Sequence, residues 1–208
     1  MKYLMYFDWC LENIDNPLET ISKIISALLN PLLVAPISFG IIIYSDGTID
    51  AKNPLFLTSF FFTSALPLIT IFYFKHLGKI SSLDAPIKEQ RIQLLAIAAI
   101  YNALGFLLLS YLEAPPIVRG LMFCYALNTA IVWRITMLWK ISIHMIGLGG
   151  PIVALWLAGF EYPLAMGFTL MIVSISRVVL KAHTPSQVIV GTMLAMGLAL
   201  LELTYLFL

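Results

Sequence analysis

Apolar residues fill seven long runs of this chain, and polar residues gather in the short connections between them. A helix needs roughly 20 apolar residues to cross about 30 Å of hydrocarbon. Lipid offers no hydrogen-bond partners, so the backbone N–H and C=O groups must bond to each other within the helix. The predicted helices cover residues 24–45, 54–75, 92–112, 116–137, 143–160, 163–180 and 186–208. The pattern predicts an all-α fold: a polytopic helical membrane protein with about six to seven transmembrane helices in one bundle.

The start of the chain differs from these runs, and we expect an interfacial segment at residues 1–23 ahead of a single transmembrane domain at 24–208. Acidic residues interrupt the apolar core that a signal peptide needs, so cleavage is not expected. Apolar residues then recur at helical spacing over residues 17–27, which predicts a helix lying along the membrane surface. A plain solvated extension is the alternative.

Prolines and glycines mark where helices begin and where they approach each other. Pro115, Pro116 and Pro163 fall at predicted helix starts, where a missing backbone N–H costs nothing. The small residues Gly147, Gly149 and Gly150 predict close helix packing in lipid.

Composition supports the membrane interpretation and excludes other classes. Of 208 residues, 61% are hydrophobic and 11% charged, which is far from a soluble composition. A net charge of +1 without a basic stripe argues against nucleic acid as a partner. Cys10 and Cys124 lack a partner motif and are interpreted as unpaired thiols. The three histidines lack acidic neighbours in the sequence, so neither a metal nor a cofactor is expected.

Three polar clusters interrupt the second half of the chain at intervals of two predicted crossings. An even number of crossings returns the chain to the same side of the membrane, so all three clusters are expected to share one face. The clusters hold Lys88 and Arg91, then Lys140, Ser142 and His144, then Ser176, Arg177, Lys181, His183 and Gln187. In a compact bundle they would form a basic pocket with two imidazoles.

Lys and Arg are concentrated on the side of these clusters, which by the positive-inside rule predicts a cytoplasmic face in the cell (inner) membrane. The excess of Lys and Arg on this side remains, although it is smaller, when the five candidate site cations are left out of the count.

The residue types of the clusters suit a phosphate ligand. The planar guanidinium group of Arg presents paired donors that match phosphate oxygens, and Lys adds a mobile charge. Of two histidines, one can attack phosphorus while the other protonates the leaving alkoxide.

These residues resemble signatures of the type 2 phosphatidic acid phosphatase superfamily. Ser176-Arg177, five residues and then His183 is similar to its third signature, Ser-Arg-x5-His-x3-Asp, and Ser142-Ile143-His144 resembles the second, Pro-Ser-Gly-His. The resemblance covers residues from about 84 to the end. It implies that His183 is the nucleophile and His144 the acid, and that the phosphate is held by Arg177, Ser176, Ser142 and first-signature residues. Substrates would be membrane lipid phosphates or polyprenyl (di)phosphates, hydrolysed without metal.

The chain departs from the family pattern at several positions. The first signature, Lys-x6-Arg-Pro, is met only at Arg91, since Asp84 stands seven residues earlier; Lys88 or Lys140 could supply the missing ammonium group. Gln187 occupies the place of the Asp that orients the nucleophile. An amide can hold one ring nitrogen but cannot stabilise an imidazolium.

Other interpretations of the same residues remain open at this point. Gln187 also completes a helix-capping box that begins at Thr184. Lys140, Lys181 and Arg134 could snorkel to headgroups, and Lys88 and Arg91 could form an ion-pair face with Asp84. For function, the alternatives to a phosphatase are an inactive lipid-headgroup binder or transporter on the same scaffold and a structural subunit of a membrane complex.

Overall fold

The computed structural model describes residues 16–80 and 88–208, with Lys88 described by its backbone alone. These residues form eight helices and no strand, which confirms the predicted all-α class. The helices are α1 (Pro17–Leu28), α2 (Pro31–Ser45), α3 (Lys52–His76), α4 (Lys88–Tyr111), α5 (Pro116–Leu138), α6 (Ile143–Leu157), α7 (Pro163–Val179) and α8 (Pro185–Phe207). A π-helical turn interrupts α3 at Phe61–Ala65, and another ends α8 at Leu203–Phe207.

Prolines begin most of these helices, because a proline at the first position gives up an N–H that the helix does not use. Pro116 and Pro163 start α5 and α7, as the sequence predicts. Asn16, Asn30 and Thr184 cap three further helices through their side-chain oxygens. The polar connections therefore fix the helix boundaries even though the helices themselves are almost uniformly apolar.

Four helices are long and apolar enough to cross a membrane, and they mark an integral membrane protein. They are Lys52–His76, Glu89–Tyr111, Pro116–Leu138 and Pro185–Phe207. Helices α1 and α2 together would make a fifth span, but they meet at a bend of 47°. Helices α6 and α7 are shorter: the 15 residues of α6 extend about 22 Å, less than the hydrocarbon thickness. The described residues thus give four or five spans on length and composition.

The break between α1 and α2 differs from the predicted boundary at residue 23. Helix α1 continues to Leu28, and the chain breaks there because Pro31 lacks an N–H and Asn30 caps the next helix. The apolar residues Leu18, Ile21, Ile24 and Leu28 face outward. An amphipathic helix with this outward face fits the expected interfacial position. Residues 1–15, including Cys10, lie outside the described part of the chain.

Helix α6 packs closely against its neighbours through two of its glycines, and most of its residues are buried. A Cβ atom at Gly147 would lie 2.6 Å from Cβ of Pro31, and one at Gly149 would lie 2.8 Å from Cβ of Ala195. Gly150 has open space around it, so the predicted role in close packing holds for two glycines and not the third. This packing fixes the start of α6 beside the bend between α1 and α2.

Candidate active site

A cavity of about 200 Å³ lies inside the bundle and ends among charged and titratable side chains. Arg91, His144, Arg177 and His183 line that end, and all four are buried. They come from the first turn of α4, the first turn of α6, the last turn of α7 and the connection between α7 and α8. The three polar clusters of the sequence therefore meet at one end of one cavity.

Backbone and side-chain contacts hold the ends of these helices together. Arg91 Nη1 donates to the carbonyl oxygen of Ile141 at 3.5 Å, which ties α4 to the turn before α6. The Ser142 N–H donates to the Gln187 carbonyl oxygen at 3.4 Å. Because each contact joins two separate clusters, the relative positions of the clusters are fixed by the fold.

Gln187 determines which nitrogen of His183 carries a proton. Its Oε1 accepts from the Thr184 N–H at 3.2 Å and lies 3.1 Å from His183 Nδ1. A backbone N–H can only donate, so the contacting amide atom is the oxygen, and Nδ1 must then be the protonated ring nitrogen. Nε2 of His183 consequently keeps its lone pair. The capping box predicted at Thr184 is present as well, so one amide oxygen serves both the helix cap and the imidazole.

The surroundings of His183 disfavour its charged form. Burial is the main cause, followed by the positive charge of Arg91, with smaller contributions from Lys140 and Arg177, and together these lower the pKa of His183 to about 3. The hydrogen bond to Gln187 acts in the opposite direction but is weaker. At neutral pH the ring is therefore uncharged.

Ser142 sits at the N-cap position of α6 without capping it through its side chain. Its hydroxyl is fully buried and has no hydrogen-bond partner among the described residues. The start of a helix presents backbone N–H groups and a partial positive charge, both of which favour an anion. The Ser142 side chain does not itself line the cavity, although the next two residues, Ile143 and His144, do.

Ser26 of α1 is part of the site, and the sequence analysis missed it. Its hydroxyl accepts a hydrogen bond from Arg177 Nη1, and the hydroxyl and carbonyl oxygens lie 3.2 and 3.1 Å from His144 Nε2. A carbonyl oxygen only accepts, so His144 Nε2 is the protonated nitrogen. The signal was present: Ser22 and Ser26 are one turn apart, opposite the apolar face of α1, and both are buried.

The other predicted site residues occupy varied positions. Lys140 is half-buried and does not line the cavity. Burial, then the positive charges of Arg91 and Arg177, lower the pKa of its ammonium group. The Ser176 hydroxyl donates to the carbonyl oxygen of Ile172 at 2.7 Å and does not line the cavity. Lys181 is exposed. Asp84 and the Lys88 side chain lie outside the described residues.

Arg134 lies against the ring of Trp133 and contacts the Met137 sulfur at 3.2 Å. It is exposed, which fits the snorkelling interpretation. Within residues 16–80 and 88–208, no group of three His, Cys, Asp or Glu side chains is arranged to hold a metal ion.

Comparison of the chain with models of known families, with curated proteins and with solved structures found no match. The resemblance to the phosphatase signatures therefore depends on the residues of this chain alone.

We predict that Ser26→Ala destabilises the protein, because the Arg177 Nη1 group loses a buried hydrogen-bond acceptor, whereas His144 keeps the Ser26 carbonyl oxygen. The expected loss is about 1–3 kcal/mol, measured as a lower thermal unfolding midpoint in detergent. Ser22→Ala is the matched control, since Ser22 is buried on the same face of α1. Equal effects of the two substitutions would contradict a specific contribution of Ser26.

Proposed function

We propose that this protein is a lipid phosphate phosphatase of the membrane, which hydrolyses a lipid phosphate or a polyprenyl (di)phosphate through a phosphohistidine on His183. The observation that carries the proposal is a single cavity whose end is lined by two buried guanidinium groups and two buried imidazoles. The His144 ring has a proton on Nε2, whereas the His183 ring has a lone pair on Nε2. The remainder of the same cavity is mainly apolar, which suits a substrate that has a charged head and a hydrocarbon tail.

The first chemical step forms a phosphorus–nitrogen bond. His183 Nε2, which keeps its lone pair while Gln187 holds the proton on Nδ1, attacks phosphorus. The bond from phosphorus to the alkoxide oxygen breaks. His144, which carries a proton on both ring nitrogens while the anionic substrate is bound, gives one of them to that oxygen and becomes neutral as the alcohol leaves. Arg91 and Arg177 stabilise the charge on the phosphoryl oxygens in the transition state.

The second step restores the enzyme. Water attacks the phosphohistidine and gives a proton to His144, while the bond between phosphorus and His183 breaks and inorganic phosphate leaves. The guanidinium groups, the ammonium of Lys140 and the start of α6 supply the positive charge that the reaction requires, so this mechanism needs no metal ion.

For the membrane arrangement, we propose that the short helices α6 and α7 also cross, which gives six to seven crossings. His144 begins α6 and Arg177 lies in the last turn of α7, so a pair that leaves the site and returns to it accounts for both positions. We further propose, from the distribution of Lys and Arg, that the site faces the cytoplasm from the cell membrane.

A panel of lipid phosphates tests the activity directly. We expect the purified protein to release phosphate from at least one member, and His183→Ala to reduce kcat by more than about 10³-fold, since it removes the nucleophile. His76→Ala is the matched control, because His76 is exposed at the end of α3. Turnover that survives His183→Ala would refute the assignment. Tight binding without turnover would instead favour the inactive headgroup binder.

Gln187→Glu is predicted to raise kcat by about tenfold, because a carboxylate of the same length stabilises the imidazolium-like transition state. The added negative charge also raises the pKa of His183, so the acid limb of the kcat/KM profile should move to higher pH. Thr184→Ala is the control. It removes the hydrogen bond from the Gln187 N–H to the Thr184 hydroxyl in the helix cap, and it keeps the contact between the Gln187 amide and His183. An unchanged pH profile in Gln187→Glu would contradict the role of Gln187.

Single cysteines test the crossings and the orientation. With Cys10 and Cys124 replaced, Lys181→Cys is expected to react with impermeant maleimide only after the cell membrane is opened, and Glu161→Cys in the α6–α7 connection to react in intact cells. Both positions are exposed. Labelling of both from the same side would show that α7 does not cross.

A further inference from the structure

The cavity continues from the charged end along one stripe of α4. Arg91, Leu95, Ala98 and Asn102 all line it, and they are spaced four, three and four residues apart, which keeps them on one face of a helix. Eleven residues of α-helix extend about 16 Å. The cavity is therefore a passage that leads from the phosphate end into the interior of the bundle.

The walls of this passage are apolar over most of its length. Leu94 and Leu95 of α4, Ile71 of α3, Val132 of α5 and Ile146 of α6 form them. Helices from both halves of the chain thus enclose the space, and the surface that they offer is the kind that a hydrocarbon chain buries favourably.

We propose that the passage binds a single hydrocarbon chain of the substrate inside the protein, and that the polar groups at its far end limit the length of chain accepted. This inference rests on the proposed function and specifies its substrate class: lipid phosphates with one chain of medium length, in preference to two-chain phosphates such as diacylglycerol phosphates.

The size of the cavity supports the claim that only one hydrocarbon chain is bound. Pockets for small organic ligands occupy roughly 300–1,000 Å³, and this one measures about 200 Å³. Two parallel acyl chains need at least twice the cross-section of one, which a cavity of this volume does not provide over a length of about 16 Å.

The polar groups at the far end support the claim that the length of the chain is limited. Thr70 Oγ1 and Tyr101 Oη form a hydrogen bond of 2.9 Å there, and Asn102 Nδ2 donates to the Tyr125 carbonyl oxygen at 3.3 Å. The Asn102 Oδ1 atom is buried and has no hydrogen-bond partner among the described residues. An apolar chain gains nothing from contact with these groups and would separate them at a cost. The chain should therefore end before them.

Ala98 is the position that tests the inference, since its small side chain lines the passage halfway along. Ala98→Leu should obstruct the deep half and shift the preferred chain to shorter lengths, whereas Ala98→Gly should allow longer chains. Ala103→Leu is the matched control on the same helix, because Ala103 is exposed on the outer surface of α4. Opposite shifts in the two Ala98 variants cannot arise from a general loss of folding.

The experiment compares hexyl, decyl, tetradecyl and octadecyl phosphates as substrates, and the matching alkyl phosphonates as ligands that are not hydrolysed. In the unsubstituted protein we expect kcat/KM to rise by up to roughly fourfold per added methylene until the passage is full, and then to fall. Ala98→Leu should lose at least about tenfold on decyl and longer chains and little on hexyl phosphate. Partitioning of long chains into detergent affects all variants equally, so the comparison with Ala103→Leu isolates the cavity.

Outcomes that overturn the inference are distinct from those that overturn the phosphatase. Chain-length profiles that are the same in Ala98→Leu, Ala98→Gly and Ala103→Leu would refute the passage. Equal use of diacylglycerol phosphates and monoalkyl phosphates would refute it too, even if turnover is fast. Absence of turnover with every substrate would refute the phosphatase, whereas the phosphonate affinities would still report whether chain length is limited at Ala98.

Discussion

Two guanidinium groups and two imidazoles are held inside one end of an apolar helical bundle, and the rest of the structure is arranged around that requirement. Charged and polar groups are costly to bury in such surroundings unless hydrogen bonds compensate them. Here Ser26 accepts from Arg177, and the carbonyl oxygen of Ile141 accepts from Arg91. Each of these partners belongs to a different element from its cation. Satisfying the buried groups therefore brings the ends of α1, α4, α6 and α7 together, and the geometry of the candidate site follows from the way the charges are buried.

The neutral side chain of Gln187 shapes the chemistry that this site can perform. It fixes the proton on His183 Nδ1 through the same oxygen that completes a helix cap, so the orientation of the His183 ring depends on the start of α8. What the amide does not provide is a negative charge beside the ring, and the neighbouring cations lower the pKa of His183 further. In the proposed mechanism, His183 stays uncharged at neutral pH, and the cations bind the phosphate and stabilise the transition state. A substrate phosphate would neutralise part of their charge.

The sequence predicts the all-helical fold, most helix boundaries and the residues that meet at the site, because these depend on polar residues whose positions in an apolar chain are informative. Pro116, Pro163 and Thr184 mark helix starts locally, and the four-residue spacing of His183 and Gln187 places these two side chains about one turn apart at the start of α8. The break at Pro31 and the inward position of Ser26 were missed. For Ser26 the signal was present, because Ser22 and Ser26 lie opposite the apolar face of α1. The apolar part of the cavity has no such signal: in a membrane protein the surface facing lipid and the surface facing the core are both apolar. Leu95 and Ala98 therefore look like any other apolar residues of a membrane helix until the packing is known.

The central claim is that the convergence of these side chains makes His183 a nucleophile toward phosphorus. The most direct measurement is to mix the protein with a lipid phosphate, quench in alkali, in which phosphohistidine is stable, and locate the phosphoryl group by mass spectrometry of the peptides. The account predicts an acid-labile phosphoryl group on His183. This group should accumulate in the His144→Ala variant when the substrate is a nitrophenyl phosphate, because the nitrophenolate leaving group needs no proton and the second step lacks its base. Phosphate release without any modification of His183, or modification of a residue outside the cavity, would contradict it.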